Sequence, residues 1–243
     1  MIEHGQPEGG YILSVGERQV PFRIDYRDRK SLLITVHPNL RLEVVAPKGS
    51  TQEQVLPRVQ KRASWILRQL RYFEQYQPAQ PSPRFVSGET ILYLGRQYRL
   101  KVQQSSADSV KLIGRYLHVW TSERADSGRI QLQVEHWYRE HADRIFANRI
   151  RLCLEKCVSL KLAEQPQLSI RKLTHRWGSC TKSGRVILNL DLIKAPIHCI
   201  DYVIVHELCH RQIHNHSSLF YRLLGRCMPD WEARKSRLES FVV

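Results

Sequence analysis

The sequence predicts an α+β fold, with a β-rich N-terminal half carrying one long helix and a C-terminal part in which an antiparallel hairpin leads into a buried helix. Three observations carry that prediction. Between Tyr11 and Trp120 apolar residues recur with period two in short runs separated by Gly, Pro and Asn; around residues 51 and 127 the period changes to 3.6; and the apolar stretch from Ile200 to Leu208 contains His206 and Glu207. With 243 residues, 42% of them hydrophobic and 25% charged, the chain can bury a sizeable core in one domain or two.

The runs Tyr11 to Val15, Val20 to Asp25, Leu32 to Val36 and Leu40 to Val45 read as strands, with a hairpin turn at Pro38-Asn39 and the sheet closed by Lys48-Gly49. A helix over 51–76 follows, with Val55, Val59, Ala63, Ile66, Leu70 and Phe73 on one face. Thr51 and Gln54 form its capping box, and Pro57 makes its first turn irregular. Its other face carries Arg58, Lys61, Arg62, Arg68 and Arg71, a solvated face or a nucleic-acid contact. Residues 77–84 contain Pro78, Pro81 and Pro83 and read as a linker. A second antiparallel set is expected at Ile91 to Leu94, Tyr98 to Val102, Val110 to Ile113 and Leu117 to Trp120, with turns at Gly95-Arg96 and Gly114-Arg115. No internal repeat is strong enough to claim. The next helix runs from Ser127 to about Leu160, presenting Ile130, Val134, Trp137, His141, Ile145 and Leu152. Leu168 to His175 and Arg185 to Leu190 make the hairpin, Pro196 opens the buried helix, Ser217 caps another, and Asp230 caps a last one to Phe241. The expected divisions are 1–80, 81–124 and 125–243.

On the buried helix His206 and His210 stand one turn apart on one face, so both imidazoles can close on one metal ion. Glu207 beside them can reach a water on that ion, the H-E-x-x-H arrangement of metal-assisted hydrolysis. Continued as helix, His214 would lie about 12 Å along the axis from His206 at about 1.5 Å per residue, too far to join them. The chain must therefore turn back, Asn215 is suited to break the helix, and His216 becomes the third ligand. Three nitrogen ligands and an open position describe a catalytic zinc site. Glu232 is the fallback third ligand, and Asp201 a candidate acceptor behind a ligand imidazole.

These residues also resemble the YgjP-like metallopeptidase domain family, related to the Wss1-like and SprT-type zinc peptidases. The matching text is Arg176-Trp177-Gly178-Ser179-Cys180, Val186 to Leu190, Ala195-Pro196, Asp201-Tyr202-Val203, the HELCH helix and Asn215-His216-Ser217, with Val86 to Glu89 and Tyr93 to Tyr98 upstream. The resemblance implies a zincin-like C-terminal domain and a zinc-dependent hydrolase with His206, His210 and His216 as ligands and Glu207 as base. It does not imply the substrate.

Three readings follow. The first is a zinc (Zn2+) metallopeptidase acting on a peptide or protein, with the 168–190 hairpin binding an extended substrate, Trp177, Gly178 and Ser179 at its tip near the metal, and Arg176, Trp177 and Ser179 as substrate-binding candidates. Arg176 is a candidate to stabilise an oxyanion or hold an anionic group, as are Tyr202 and Tyr221 for an oxyanion. The net charge of +15 makes nucleic acid or nucleotide a further candidate partner. The second reading is a nucleotide phosphohydrolase using the same metal beside Arg171, Lys172, Arg176 and Lys182, although no phosphate-cradling glycine loop is present. The third is a zinc-stabilised nucleic-acid module closed by Cys180 or Cys209. The six cysteines lack a disulfide framework and read as reduced thiols of a cytoplasmic protein, Cys153 and Cys157 as small buried hydrophobes. No signal segment or membrane-spanning run is expected.

Overall fold

A computed structural model describes residues 2–4, 10–37, 39–74, 83–157, 160, 165–174 and 176–241. It divides into two compact units, residues 1–80 and 81–241.

The first unit is a five-stranded sheet of β1 (Ile2–His4), β2 (Tyr11–Val15), β3 (Arg18–Arg27), β4 (Leu33–Val36) and β5 (Leu42–Pro47), ordered β1-β2-β3-β5-β4. Antiparallel hairpins join β2 to β3 and β4 to β5, while β3 and β5 run parallel. Pro38 lies outside the described residues; the β4–β5 turn uses Leu40 at positive φ. Leu13, Val20, Phe22 and Val44 form a core with Val55, Val59, Ile66 and Leu70 of the helical segment. That segment is two helices rather than one, α1 (Gln52–Lys61) and α2 (Ala63–Glu74). The chain runs through Pro57 and breaks at Arg62, whose N–H tightens onto the Val59 carbonyl three residues back at 2.9 Å. Residues 75 and 76 of the expected helix, and 77–82 of the expected linker, lie outside the described residues.

The second unit begins with β6 (Thr90–Tyr93), β7 (Arg96–Gln104), β8 (Ser109–Ile113) and β9 (Tyr116–Thr121), ordered β6-β7-β9-β8. The expectation of a purely antiparallel set fails, because β7 and β9 pair parallel between two antiparallel hairpins. This order and sense repeat those of β2-β3-β5-β4, a likeness of topology that the residues themselves do not announce. Asp126 caps α3 (Ser127–Lys156) by accepting the Arg129 N–H at 3.0 Å. Its lower turns bury Phe146, Ile150 and Cys153, where Ile145 and Leu152 were expected.

The C-terminal sheet also differs from expectation. It has three strands, β10 (Leu168–Arg171), β11 (Gly178–Cys180) and β12 (Val186–Asn189), ordered β10-β12-β11. β10 runs parallel to β12, and the hairpin is β11–β12, closed at Gly184. The buried Asn189 explains the extra strand. Its side chain accepts the Leu173 N–H at 3.3 Å and donates to the Leu173 and Arg176 carbonyls at 2.8 and 3.1 Å, drawing the connection out of the sheet. A 3-10 turn over Leu190–Lys194 leads to α4 (Ile197–Cys209), α5 (Ser218–Cys227) and α6 (Trp231–Glu239). One core joins residues of β6–β9, α3, β12 and α4–α6, so the division expected after residue 124 runs through it. Among the described residues no helix is long and apolar enough to cross a membrane.

Candidate metal centre

The last turn of α4 carries His206 and His210, and the helix stops at Cys209, with His210 as its cap, well before Asn215. The chain then reverses through residues 211–216. The Nε2 of His216 lies 3.0 Å from that of His206 and 3.1 Å from that of His210. The Nδ1 of His210 meets the Ile213 carbonyl at 3.0 Å; a carbonyl only accepts, so Nδ1 carries the proton and Nε2 presents its lone pair. Three facing nitrogens cannot all be satisfied by one another's protons, whereas a single cation serves all three lone pairs. The donor set thus fits a divalent metal that accepts imidazole, and among the described residues it is the one such cluster of three; no cysteine, His214 or Glu232 joins it.

The surroundings disfavour the charged form of His206 and His216. Burial, with His210, His216 and Lys235 nearby, pulls His206 down to about 3, and burial lowers His216 as well. Phe220 of α5, fully buried, seats all three imidazoles, with ring centroids 4.9 Å from His206, 4.6 Å from His210 and 4.8 Å from His216. Glu207 is buried on the side facing β11. Burial pushes its carboxyl up to about 7, against the opposing pull of the Arg176 charge and the Cys180 backbone N–H. A Cβ on Gly178 would stand 2.9 Å from both Cγ and Oε1 of Glu207 and 3.0 Å from Val203, so only glycine lets β11 lie this close to the helix.

A family model described as YgjP-like, metallopeptidase domain, matches residues 30–241. The chain belongs to the YgjP-like metallopeptidase family. No curated protein matches it. One solved structure, the metallopeptidase zymogen abylysin of Pyrococcus abyssi, is similar over 38% of this chain and 90% of its own, at 19% identity and a TM-score of 0.35.

In this YgjP-like chain Arg176 is exposed and Trp177 and Ser179 are half-buried; Ser179 lies on the strand that covers Glu207, and Arg176 and Trp177 lead into it. Asp201 does not sit behind a ligand imidazole. It takes a two-point bond from Arg149 of α3 at 2.7 and 2.6 Å, with Arg234 of α6 at 3.8 Å, and the Nδ1 of His206 is buried without a partner among the described residues. Glu232 is exposed at the start of α6. Tyr202 stands edge-on to His206 at 5.8 Å and Tyr221 lies 6.3 Å from His216. Phe220 escaped the sequence reading, which placed Gly178 near the metal without giving the reason a glycine stands there. Gly178 sits in the very pentapeptide that carries the resemblance, but its role is visible only once β11 is laid on α4.

Proposed function

We propose that this YgjP-like protein is a zinc-dependent metallopeptidase that hydrolyses peptide bonds with His206, His210 and His216 as zinc ligands and Glu207 as general base. The observation that carries the reading is the convergence of three imidazole nitrogens beside a single buried carboxylate. Bound zinc would supply Lewis acidity toward the scissile carbonyl and an acidified water. Glu207 takes the proton of the attacking water and hands it to the departing amine; a carboxyl raised toward neutrality is suited to both halves of that transfer. The Cys180 N–H fixes the carboxylate's direction, and Gly178 keeps space for it.

Strand β11 is the edge of its sheet. The Trp177 carbonyl accepts from Asn189 of β12 and the Thr181 N–H donates to Arg185 just before that strand, so by alternation Gly178 and Cys180 turn their backbone groups away from it, and the Gly178 pair is suited to an extended peptide added as a further strand. Arg176 and Ser179 flank that edge as substrate-positioning groups. The phosphohydrolase alternative has less behind it, because Lys172 is held by Glu135 at 2.7 Å and β10, which carries Arg171, lies across β12 from β11.

Glu207→Gln, assayed on casein and on nucleoside triphosphates with and without chelator, tests the reading. We expect chelator-sensitive proteolysis, zinc retained by the variant, and a loss of turnover of about 10² to 10⁴-fold. Full activity in the variant, or turnover confined to the triphosphates, would refute it.

A further inference from the structure

Away from the histidines, the second sheet has a surface unlike the others. Its inward residues Leu100, Val102, Leu117 and Val119 are buried in the core. Strand alternation puts Tyr116, His118 and Trp120 of β9 on the opposite face, and the register sets Arg99 beside Tyr116 and Lys101 and Lys111 on either side of His118. The three rings form a continuous row. Tyr116 and His118 meet edge to face at 6.0 Å, and His118 and Trp120 stack at 5.3 Å with 16° between planes. The Lys101 Nζ lies 5.8 Å from the Tyr116 ring centroid, and the His118 Nδ1 is held by the Gln103 Oε1 at 3.0 Å. Tyr116 is 48% exposed and the adjoining Ile113 53%. None of the four strands contains an Asp or Glu.

A ladder built only to hold a sheet needs no flanking cations and gains from acids that pair with them. A row of aromatics two residues apart, bordered by three cations and by no acid of the four strands, has the chemistry of a stacking platform beside a phosphate track. We infer that this face binds single-stranded nucleic acid, bases on Tyr116, His118 and Trp120 and phosphates on Arg99, Lys101 and Lys111. A duplex keeps its base faces inside and offers this surface only its phosphates, so it gains the electrostatic part and not the stacking. The inference is independent of the peptidase reading, and its test needs no turnover.

The test is fluorescence anisotropy on the full chain with labelled oligouridylate and oligothymidylate, and with a duplex of equal length, at low and rising salt. Single strands should bind at least about tenfold more tightly than duplex. Tyr116→Ala should weaken them about tenfold while Tyr116→Phe keeps binding, the loss expected of one stacked base. The pair Lys101→Glu/Lys111→Glu should weaken binding further and flatten the salt dependence. The pair Arg58→Glu/Arg68→Glu, with the same change in net charge on exposed positions of the first unit, should stay within about twofold of the parent. Tighter binding of uridylate identifies RNA as the ligand, and tighter binding of thymidylate identifies DNA. Equal affinity for duplex, indifference to Tyr116→Ala, or an equal loss in the Arg58/Arg68 pair would overturn the inference and leave net charge as the cause.

Discussion

Sheets β2-β3-β5-β4 and β6-β7-β9-β8 share one order of strands, yet their first hairpins turn in opposite circumstances. Gly16, at φ +61°, has nothing within 4 Å of where a Cβ would stand. Gly95, at φ +77°, would bring its Cβ within 2.7 Å of Pro196, and the N–H groups of Leu94 and Gly95 donate to the Ile193 and Lys194 carbonyls at 3.0 and 2.9 Å. The helices that follow differ in the same sense. In the first unit the helix breaks at Arg62; in the second, α3 runs 30 residues and reaches α4 through Arg149 and Asp201. The strand pattern is thus a common foundation. What gives the second sheet its bearing on the histidines is a turn and a helix that grip both ends of the segment preceding them.

Substitutions can break or sharpen that contrast. The largest effect is expected at Arg149→Met, which leaves the Asp201 carboxylate buried with only Arg234 and the Cys153 thiol near it, each at 3.8 Å, and should cost about 3 kcal/mol or more in urea unfolding. Adding Asp201→Asn should recover much of it. The counterpart in the first unit, Arg18 with Glu74, has side chains 35% and 38% exposed, so Arg18→Met should cost under about 1 kcal/mol. Next comes Gly178→Ala, which displaces Glu207; turnover should fall about 10²-fold, roughly 2.7 kcal/mol of barrier, with zinc content unchanged by metal analysis. Gly95→Ala should cost about 2 kcal/mol, through the left-handed backbone and the collision with Pro196 together. Gly16→Ala should cost about 1 kcal/mol, from the backbone alone. Equal losses at the two glycines, measured by thermal or urea unfolding, would erase the distinction between the turns.

Much of this was legible from local pattern. Turn glycines and period-two runs marked the strands of both sheets, and Asp126 and the 3.6 period marked α3. Spacing alone singled out His206, His210 and His216, because i and i+4 share a helix face and rise per residue rules out His214. The parallel pairings of β3 with β5 and of β7 with β9 were not legible, since each joins strands whose connection carries no register information of its own. Neither was the short β10, because Asn189, which pins the loop after it, lies 13 and 16 residues downstream of the groups it bonds. Pro57 misled: a missing donor is tolerated there, and the break fell at Arg62, where no breaker residue stands. Phe220 and Gly178 act on the centre through packing between elements, which periodicity within one element cannot register.

The reversal after Cys209 aims two donors with one stretch of backbone, since its Ile213 carbonyl holds the His210 ring and its far end delivers His216. It behaves as a gauge block. The exposed side chains at 214 and 215 should be exchangeable without altering how the three rings converge, whereas adding or deleting one residue between 210 and 216 should swing both rings off their common point at once.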